Sequence, residues 1–373
     1  MRIAFLGPAY PHRGGIAQFI ASWADHFLKA GHEVQVFSFI HQYPNWLFPG
    51  KDQKDHSDVT IDLPIKPVLT PYDPFTFQKT VDAILDYQPD VLILKYWIPF
   101  FAPAFGYVLR HLKKKSSMKI VYNIDNIDFH EKWLFAESLT RYALKPADYF
   151  MTMSDTVYKS LKRILPGIHE DRIMQFYHPT YDFYQRKRTL SPEKSNSEMP
   201  RILFFGFIKH YKGLDVLLNA MPSVIEQIPK VRLVVVGEVY GNDDQYRKLV
   251  HSLHLEEHVE LHTVYIPNEQ VEDYFTNTDV CVLPYRSATQ SGITQLAFAF
   301  HTPVIATRVG GLSEVIEEGK NGFLVEPENP KQLAEAIIRY FRDDCRPDFV
   351  RYIAEHQRSY SWEPLVEAIE KLK

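Results

Sequence analysis

The chain has 373 residues, 45% hydrophobic and 24% charged, with a formal net charge of -4. That length exceeds one ordinary core and suits two domains of about 150–200 residues each, and the mild negative balance argues against bulk binding to nucleic acid. The two cysteines, Cys281 and Cys345, form no CxxC pair. Neither a disulfide framework nor a structural zinc site is therefore expected, and a reducing cytoplasm fits.

MRIAFLG at the amino end runs straight into a strand with no basic leader, and no apolar run of about 18 residues occurs, so neither a signal peptide nor a spanning helix is expected. Residues 2–6 read as a strand and residues 16–30 as a helix, with Ile16, Phe19, Ile20, Trp23 and Phe27 near a 3.6-residue period. Between them lies a loop ending in Gly14-Gly15, where a backbone could come close to a ligand. This is not GxGxxG, so a dinucleotide fingerprint is missing. Residues 33–39 form the next strand, and the βαβ opening implies a parallel sheet. Residues 40–75, rich in proline and aromatics, read as an irregular binding loop.

A helix over 77–87 and a strand over 91–94 follow. Tyr96-Trp97-Ile98-Pro99-Phe100-Phe101 then leads into a helix ending in Lys113-Lys114-Lys115. Aromatics beside a lysine run suit a membrane surface, while buried rings and a solvated helix end are the plainer reading. A strand over 120–124 gives way to Asp125-Asn126-Ile127-Asp128-Phe129-His130-Glu131, a cluster of titratable groups at the strand end where open α/β sheets bind ligands. Further strands fall at 149–153, with Ser154 capping the next helix, and at 172–177. Residues 185–200 turn abruptly polar and read as a linker.

The pattern then restarts. A strand over 201–205 is followed by Gly206-Phe207-Ile208-Lys209-His210-Tyr211-Lys212-Gly213 and a helix over 214–224. Strands at 232–236 and 259–262 alternate with helices at 243–253, where Asn242 is a candidate cap, and 269–275. The strand Val280-Cys281-Val282-Leu283, a small polar turn over 287–292 and a helix over 293–300 together make a candidate anion site. The free N–H groups of the helix start point outward, and Ser291 and Gly292 add little bulk. An ordinary strand-to-helix turn is the alternative. Lys209 and Lys212 follow a strand end in the same half and suit phosphate, with solvated surface lysines as the competing reading. A strand over 303–306 with Gly310-Gly311, a helix over 330–342 and a last helix over 362–372 complete the chain.

Four stretches in this order, GPAYPHRGGIAQF, FFGFIKHYKGLDVLLNAM, LPYRSATQSGITQLAFAFHTPVIATRVGGLSEVI and GKNGFLVEPENP, resemble the retaining family-4 glycosyltransferases. The resemblance covers nearly the whole chain. It implies an α/β protein of GT-B fold, with two doubly wound Rossmann-like domains facing a central cleft. The expected domains are an acceptor-side domain over 1–184, a linker over 185–200 and a donor domain over 201–357. A C-terminal helix within 358–373 is expected to pack back on the first domain.

Carried over, the resemblance assigns donor contacts to Gly14, Gly15, Lys209, Lys212, Gly237, Glu238, Tyr265, Ile266, Gln290, Ser291, Gly292 and Gln295. Lys212 would hold the donor diphosphate. Where the family usually has an arginine, this chain has Phe207, and Lys209 is the substitute source of charge. The two glutamates the family often carries eight positions apart are absent, and a TQSG turn stands in their place. A histidine common in the first half is replaced by Asp125, with His130 five residues on. These two and Lys212 are the catalytic candidates. Tyr10, Tyr96 and Trp97 are the acceptor candidates. No cofactor and no essential metal are expected, only a nucleotide-diphosphate sugar as substrate. A glycan or lipid-linked acceptor of capsule or exopolysaccharide type and a peripheral position at the inner membrane face complete the expectation. The competing readings are a sugar-nucleotide epimerase or hydrolase of the same architecture and a non-catalytic nucleotide-sugar-binding protein.

Overall fold

The structure is a computed structural model, and it describes all residues except 45, 49, 51, 128–134, 186–198, 242 and 373. The chain divides into two compact units. The first comprises Met1–His56, Thr60–His178 and Trp362–Lys373, and the second Ser57–Val59 and Pro179–Ser361.

In the first unit, seven parallel strands stand in the order β3-β2-β1-β4-β5-β6-β7. They are β1 (Arg2–Leu6), β2 (Glu33–Phe39), β3 (Ile65–Leu69), β4 (Val91–Tyr96), β5 (Lys119–Ile124), β6 (Tyr149–Thr152) and β7 (Ile173–Gln175). Helices α1 (Gly15–Lys29), α2 (Phe75–Tyr87), α3 (Ala102–Lys115), α4 (Ala136–Leu144) and α5 (Asp155–Ile164) connect them. Every residue of β4 is buried, as a strand covered on both faces requires. Ser154 caps α5 by accepting from the Val157 amide at 3.2 Å.

The second unit repeats the plan with six parallel strands in the order β10-β9-β8-β11-β12-β13. These are β8 (Arg201–Phe205), β9 (Arg232–Val236), β10 (Val259–His262), β11 (Val280–Leu283), β12 (Val304–Thr307) and β13 (Gly322–Val325). Its helices are α6 (Leu214–Gln227), α7 (Asp244–Ser252), α8 (Asn268–Thr276), α9 (Gly292–Ala299), α10 (Leu312–Val315), α11 (Pro330–Arg342) and α12 (Arg346–His356). In each sheet the strand order reverses once, between β1 and β4 and between β8 and β11. Open α/β sheets bind ligands in the crevice at that reversal, beyond the carboxyl ends of the strands.

Three readings change. Residues 40–75 are not all irregular, because Ile65–Leu69 pairs with β2 as an edge strand. Its sequence, IKPVL, has no clean alternation, and Pro67 is tolerated because an edge strand can turn the missing donor outward. The strand read at 91–94 runs on to Tyr96, carrying Lys95 into the sheet. Helices α4 and α12 had no sequence assignment. The candidate cap Asn242 and most of the 185–200 segment lie outside the described residues.

The chain ends in α13 (Glu363–Glu370), which belongs to the first unit. Trp362, buried ahead of it, packs 5.0 Å from the Phe19 ring and stacks at 5.3 Å on His26, and Glu370 accepts from His32 Nε2 at 2.7 Å. Trp362→Ala removes a fully buried indole. The loss expected is about 3–5 kcal/mol of first-unit stability, read as a fall in the urea midpoint.

Candidate functional site

At the reversal point of the second unit, the loop after β8 closes as a 3-10 turn over His210–Lys212, and Gly213 follows with φ 67°. A Cβ on Gly213 would stand 2.0 Å from the Pro284 carbonyl oxygen, so only glycine fits this left-handed position against β11. The turn therefore swings Lys212 inward. Lys212 is 9% exposed, with its Nζ 5.1 Å from the centroid of the Tyr285 ring. Burial pushes its pKa below the ordinary lysine value. Tyr211 and Cys281 pull the other way, and among the described residues no carboxylate acts on it. A buried ammonium without a carboxylate is costly unless an anion is to come.

Beside it, the loop after β11 delivers the start of α9. Ser291 occupies the cap position with extended backbone and its side chain caps no amide; the Thr294 amide donates to the Ser291 carbonyl at 3.2 Å, and the Gly292 and Ile293 N–H groups, with no partner among the described residues, are available to a ligand. Gln295 is 1% exposed, and its Oε1 has no hydrogen-bond partner among the described residues. The loop is held from behind. Gly310 sits where a Cβ would meet the Ala288 carbonyl oxygen at 1.7 Å, and the Gly311 amide donates to the Thr289 carbonyl at 3.1 Å. Arg286 fastens both loops: its Nη1 and Nη2 donate to Asp215 at 2.9 and 2.7 Å, and Nη1 also donates to the His210 carbonyl at 2.8 Å. Neighbouring Cys281 is no nucleophile, since burial pushes its thiol up to about 12.

The other donor candidates surround this cradle. Gly237 follows β9, where a Cβ would lie 2.2 Å from the Gly206 carbonyl oxygen, and the buried Glu238 accepts at its carbonyl from the Ile208 amide at 2.9 Å. Tyr265 and Ile266 follow β10, with Ile266 buried. Phe207 lies 4.8 Å from the Tyr240 ring, and Lys209 Nζ rests 5.0 Å over that same ring. Gln290 lies in the turn before Ser291.

In the first unit, Gly14 has φ 113° and Gly15 begins α1, and among the described residues no atom beyond the adjoining backbone stands within 4 Å of a Cβ built on either. Space is thus open at the helix start, with Tyr10, 44% exposed, on the same loop. Trp97 is half-buried and donates from Nε1 to Tyr43 Oη at 3.2 Å. Tyr96 must be corrected: it is a core residue with no exposed surface, its hydroxyl donating to Thr140 at 2.9 Å, so it presents nothing to an acceptor. Phe101 is likewise buried in the first core. His130 lies outside the described residues.

Asp125 has a partner the sequence did not announce. Lys95, 2% exposed, reaches Asp125 Oδ1 at 3.0 Å and donates to Asn123 Oδ1 at 3.1 Å, and its Nζ stands 3.5 Å over the Phe19 ring. Burial pulls its pKa down and Asp125 opposes that. The available signal was a lysine directly continuing the apolar run VLIL.

Among the described residues no cluster of three or more His, Cys, Asp or Glu side chains could hold a metal ion, and no helix is long and apolar enough to cross a membrane. A cavity of about 570 Å³ in the first unit, lined by Met1, Asp90, Lys115 and Lys119, opens at the amino ends of its strands. Sheets of this class bind their ligands at the opposite edge.

Two parallel-sheet Rossmann-like domains, each with its loops at a strand-order reversal, define the GT-B class. Residues 13–179 match the Glycosyltransferase Family 4 model and residues 199–343 the Glycosyl transferases group 1 model, and the chain belongs to this family. It is 31% identical over 166 residues to a D-inositol 3-phosphate glycosyltransferase of Corynebacterium urealyticum, a match covering 43% of this chain and 39% of that protein. The match to the spore coat protein SA of Bacillus subtilis is 29% over 205 residues, 50% of this chain and 54% of that protein, so the chain spans about half or less of these relatives' lengths. Among solved structures, the fold resembles Anabaena HepE in complex with UDP-glucose. The TM-score is 0.71 at 16% identity, and the match covers 100% of this chain and 99% of that one.

Proposed function

We propose that the protein is a glycosyltransferase that moves a sugar from a nucleoside-diphosphate sugar to a hydroxyl of a glycan or lipid-linked acceptor, with retention of anomeric configuration. One observation carries this reading: Lys212, buried and with no carboxylate among the described residues acting on it, beside the start of α9 at the strand-order reversal of the second unit. That pairing supplies a point charge and oriented N–H groups to a diphosphate, which in this reading replace a metal in neutralising the leaving group. The likeness to a structure holding UDP-glucose supports a nucleotide-sugar donor.

In this mechanism the bond from the anomeric carbon to the diphosphate oxygen breaks. The acceptor oxygen bonds to the same face of that carbon, and its proton passes to the departing phosphate oxygen. No protein nucleophile takes part. Gln290, Ser291, Gly292 and Gln295 serve the donor in the second unit, with Gly237, Glu238, Tyr265 and Ile266 towards the nucleoside. Acceptor binding is assigned to the first unit, through Tyr10 and Trp97, with Asp125 as a sugar contact. A role in surface-glycan synthesis and a peripheral membrane position fit the exposed Lys114 and Lys115 at the end of α3.

A thermal-shift screen with UDP, GDP, ADP and their sugar conjugates, with and without magnesium, tests the reading. One nucleotide is expected to raise the melting midpoint independently of metal, because a ligand bound only by the native state stabilises it. No shift with any of them, or a shift only with magnesium, counts against the metal-free donor site.

A further inference from the structure

The nearest acid to Lys212 in the chain is Asp215, three residues on, and it is already engaged. Its two oxygens accept Nη1 and Nη2 of Arg286 at 2.9 and 2.7 Å, a fork-to-fork pair. The same guanidinium donates from Nη1 to the His210 carbonyl at 2.8 Å and from Nε to Glu328 at 3.1 Å, and the Arg286 backbone amide donates to the Tyr211 carbonyl at 2.7 Å. Two successive carbonyls of the turn that carries Lys212 are thus tied to Arg286. Four of the five guanidinium N–H donors are taken up by protein, so the group is built into the scaffold rather than offered to a ligand.

We propose that Arg286 is the positioning residue for Lys212: anchored on Asp215, it locks the His210–Lys212 turn that holds the Lys212 ammonium in place for a ligand phosphate. Without the guanidinium the turn loses its side-chain tie at the His210 carbonyl and keeps only the backbone tie at Tyr211. The inference rests on the donor-site reading above and adds to it how the lysine is held in place.

The test uses the full chain with Arg286→Gln, and with Arg286→Lys, which keeps the charge but not the fork and remains usable if the first variant folds poorly. Amide hydrogen exchange is measured first, without nucleotide. The Lys212 and Gly213 amides, which donate to Lys209 and His210 carbonyls at 2.9 and 3.1 Å, are expected to exchange roughly tenfold faster or more in Arg286→Gln, with partial recovery in Arg286→Lys. Unchanged exchange overturns the clamp. Nucleoside-diphosphate affinity is then measured for Arg286→Gln, Lys212→Ala and the double variant. Arg286→Gln is expected to weaken binding roughly tenfold or more in the wild-type background and to cost nothing further beside Lys212→Ala. Additive losses would show that Arg286 does not act through Lys212 and overturn the proposal. If the wild type binds no nucleoside diphosphate, the donor reading fails and this role with it, while faster exchange would still mark Arg286 as a structural clamp alone.

Discussion

Lys212→Ala is expected to lower sugar transfer by about two to three orders of magnitude, the effect of removing one preorganised group from a developing oxyanion. The fold should survive, with the melting midpoint unchanged or raised, because the variant removes a buried charge that no carboxylate among the described residues compensates. The loss should appear in kcat as well as in KM, since charge on the departing diphosphate grows towards the transition state. The pH dependence follows from the lowered lysine pKa. Diphosphate affinity is held while Lys212 is protonated and falls as pH rises through its folded-state value, below the ordinary lysine range. The penalty that the buried ammonium places on folding runs the other way: it is full below that value and is relieved as pH rises from it to the ordinary lysine value. Wild-type transfer rates in the variant would remove this lysine from the mechanism.

The second large effect concerns Lys95. Asp125→Ala leaves a buried ammonium, 2% exposed, without its carboxylate, and stability should fall by about 3 kcal/mol, the low end for a broken buried pair because Asp125 is partly open to solvent. The loss should shrink as pH rises, since burial already lowers the Lys95 pKa and losing Asp125 lowers it further, so deprotonation relieves the strain sooner. Combining Asp125→Ala with Lys95→Met should restore most of the stability. Urea melts of the three variants at two pH values check this. An Asp125→Ala protein as stable as wild type, or a double variant worse than either single one, would show that the pair is not what holds these strand ends together.

Much of the fold is legible because the two periods are clean. VLIL and VCVL are short, β-branched-rich apolar runs of the length of strands buried on both faces, and Ile16, Phe19, Ile20, Trp23 and Phe27 lay a stripe along α1. Ile65–Leu69 was hidden because its place depends on a sheet edge rather than on its own pattern. Ser57–Val59 belongs to the second unit through the Asn268 backbone amide donating to Ser57 Oγ at 2.9 Å and Asn268 Nδ2 donating to the Val59 carbonyl at 3.0 Å, and no local signal announces partners two hundred positions away.

The site shows the same division. Glycines and lysines after strand ends are visible in a sequence, since Gly213 and Gly310 answer to local backbone geometry and close approach. Tyr96 looked like a surface aromatic because a strand's last residues carry no mark of whether they still lie within the sheet. The Lys95–Asp125 and Arg286–Asp215 pairs are invisible, because each joins side chains from separate strands or loops that only the folded order brings to one edge.

The most direct measurement is a calorimetric titration of the nucleoside diphosphate selected by the thermal-shift screen, into wild type and Lys212→Ala, in the presence of a metal chelator. The account predicts binding by the wild type without metal, and affinity weaker by about two orders of magnitude in the variant, as the loss of a charge-assisted contact in a desolvated site implies. Equal affinity in the two proteins, or wild-type binding that vanishes with the chelator, would contradict it.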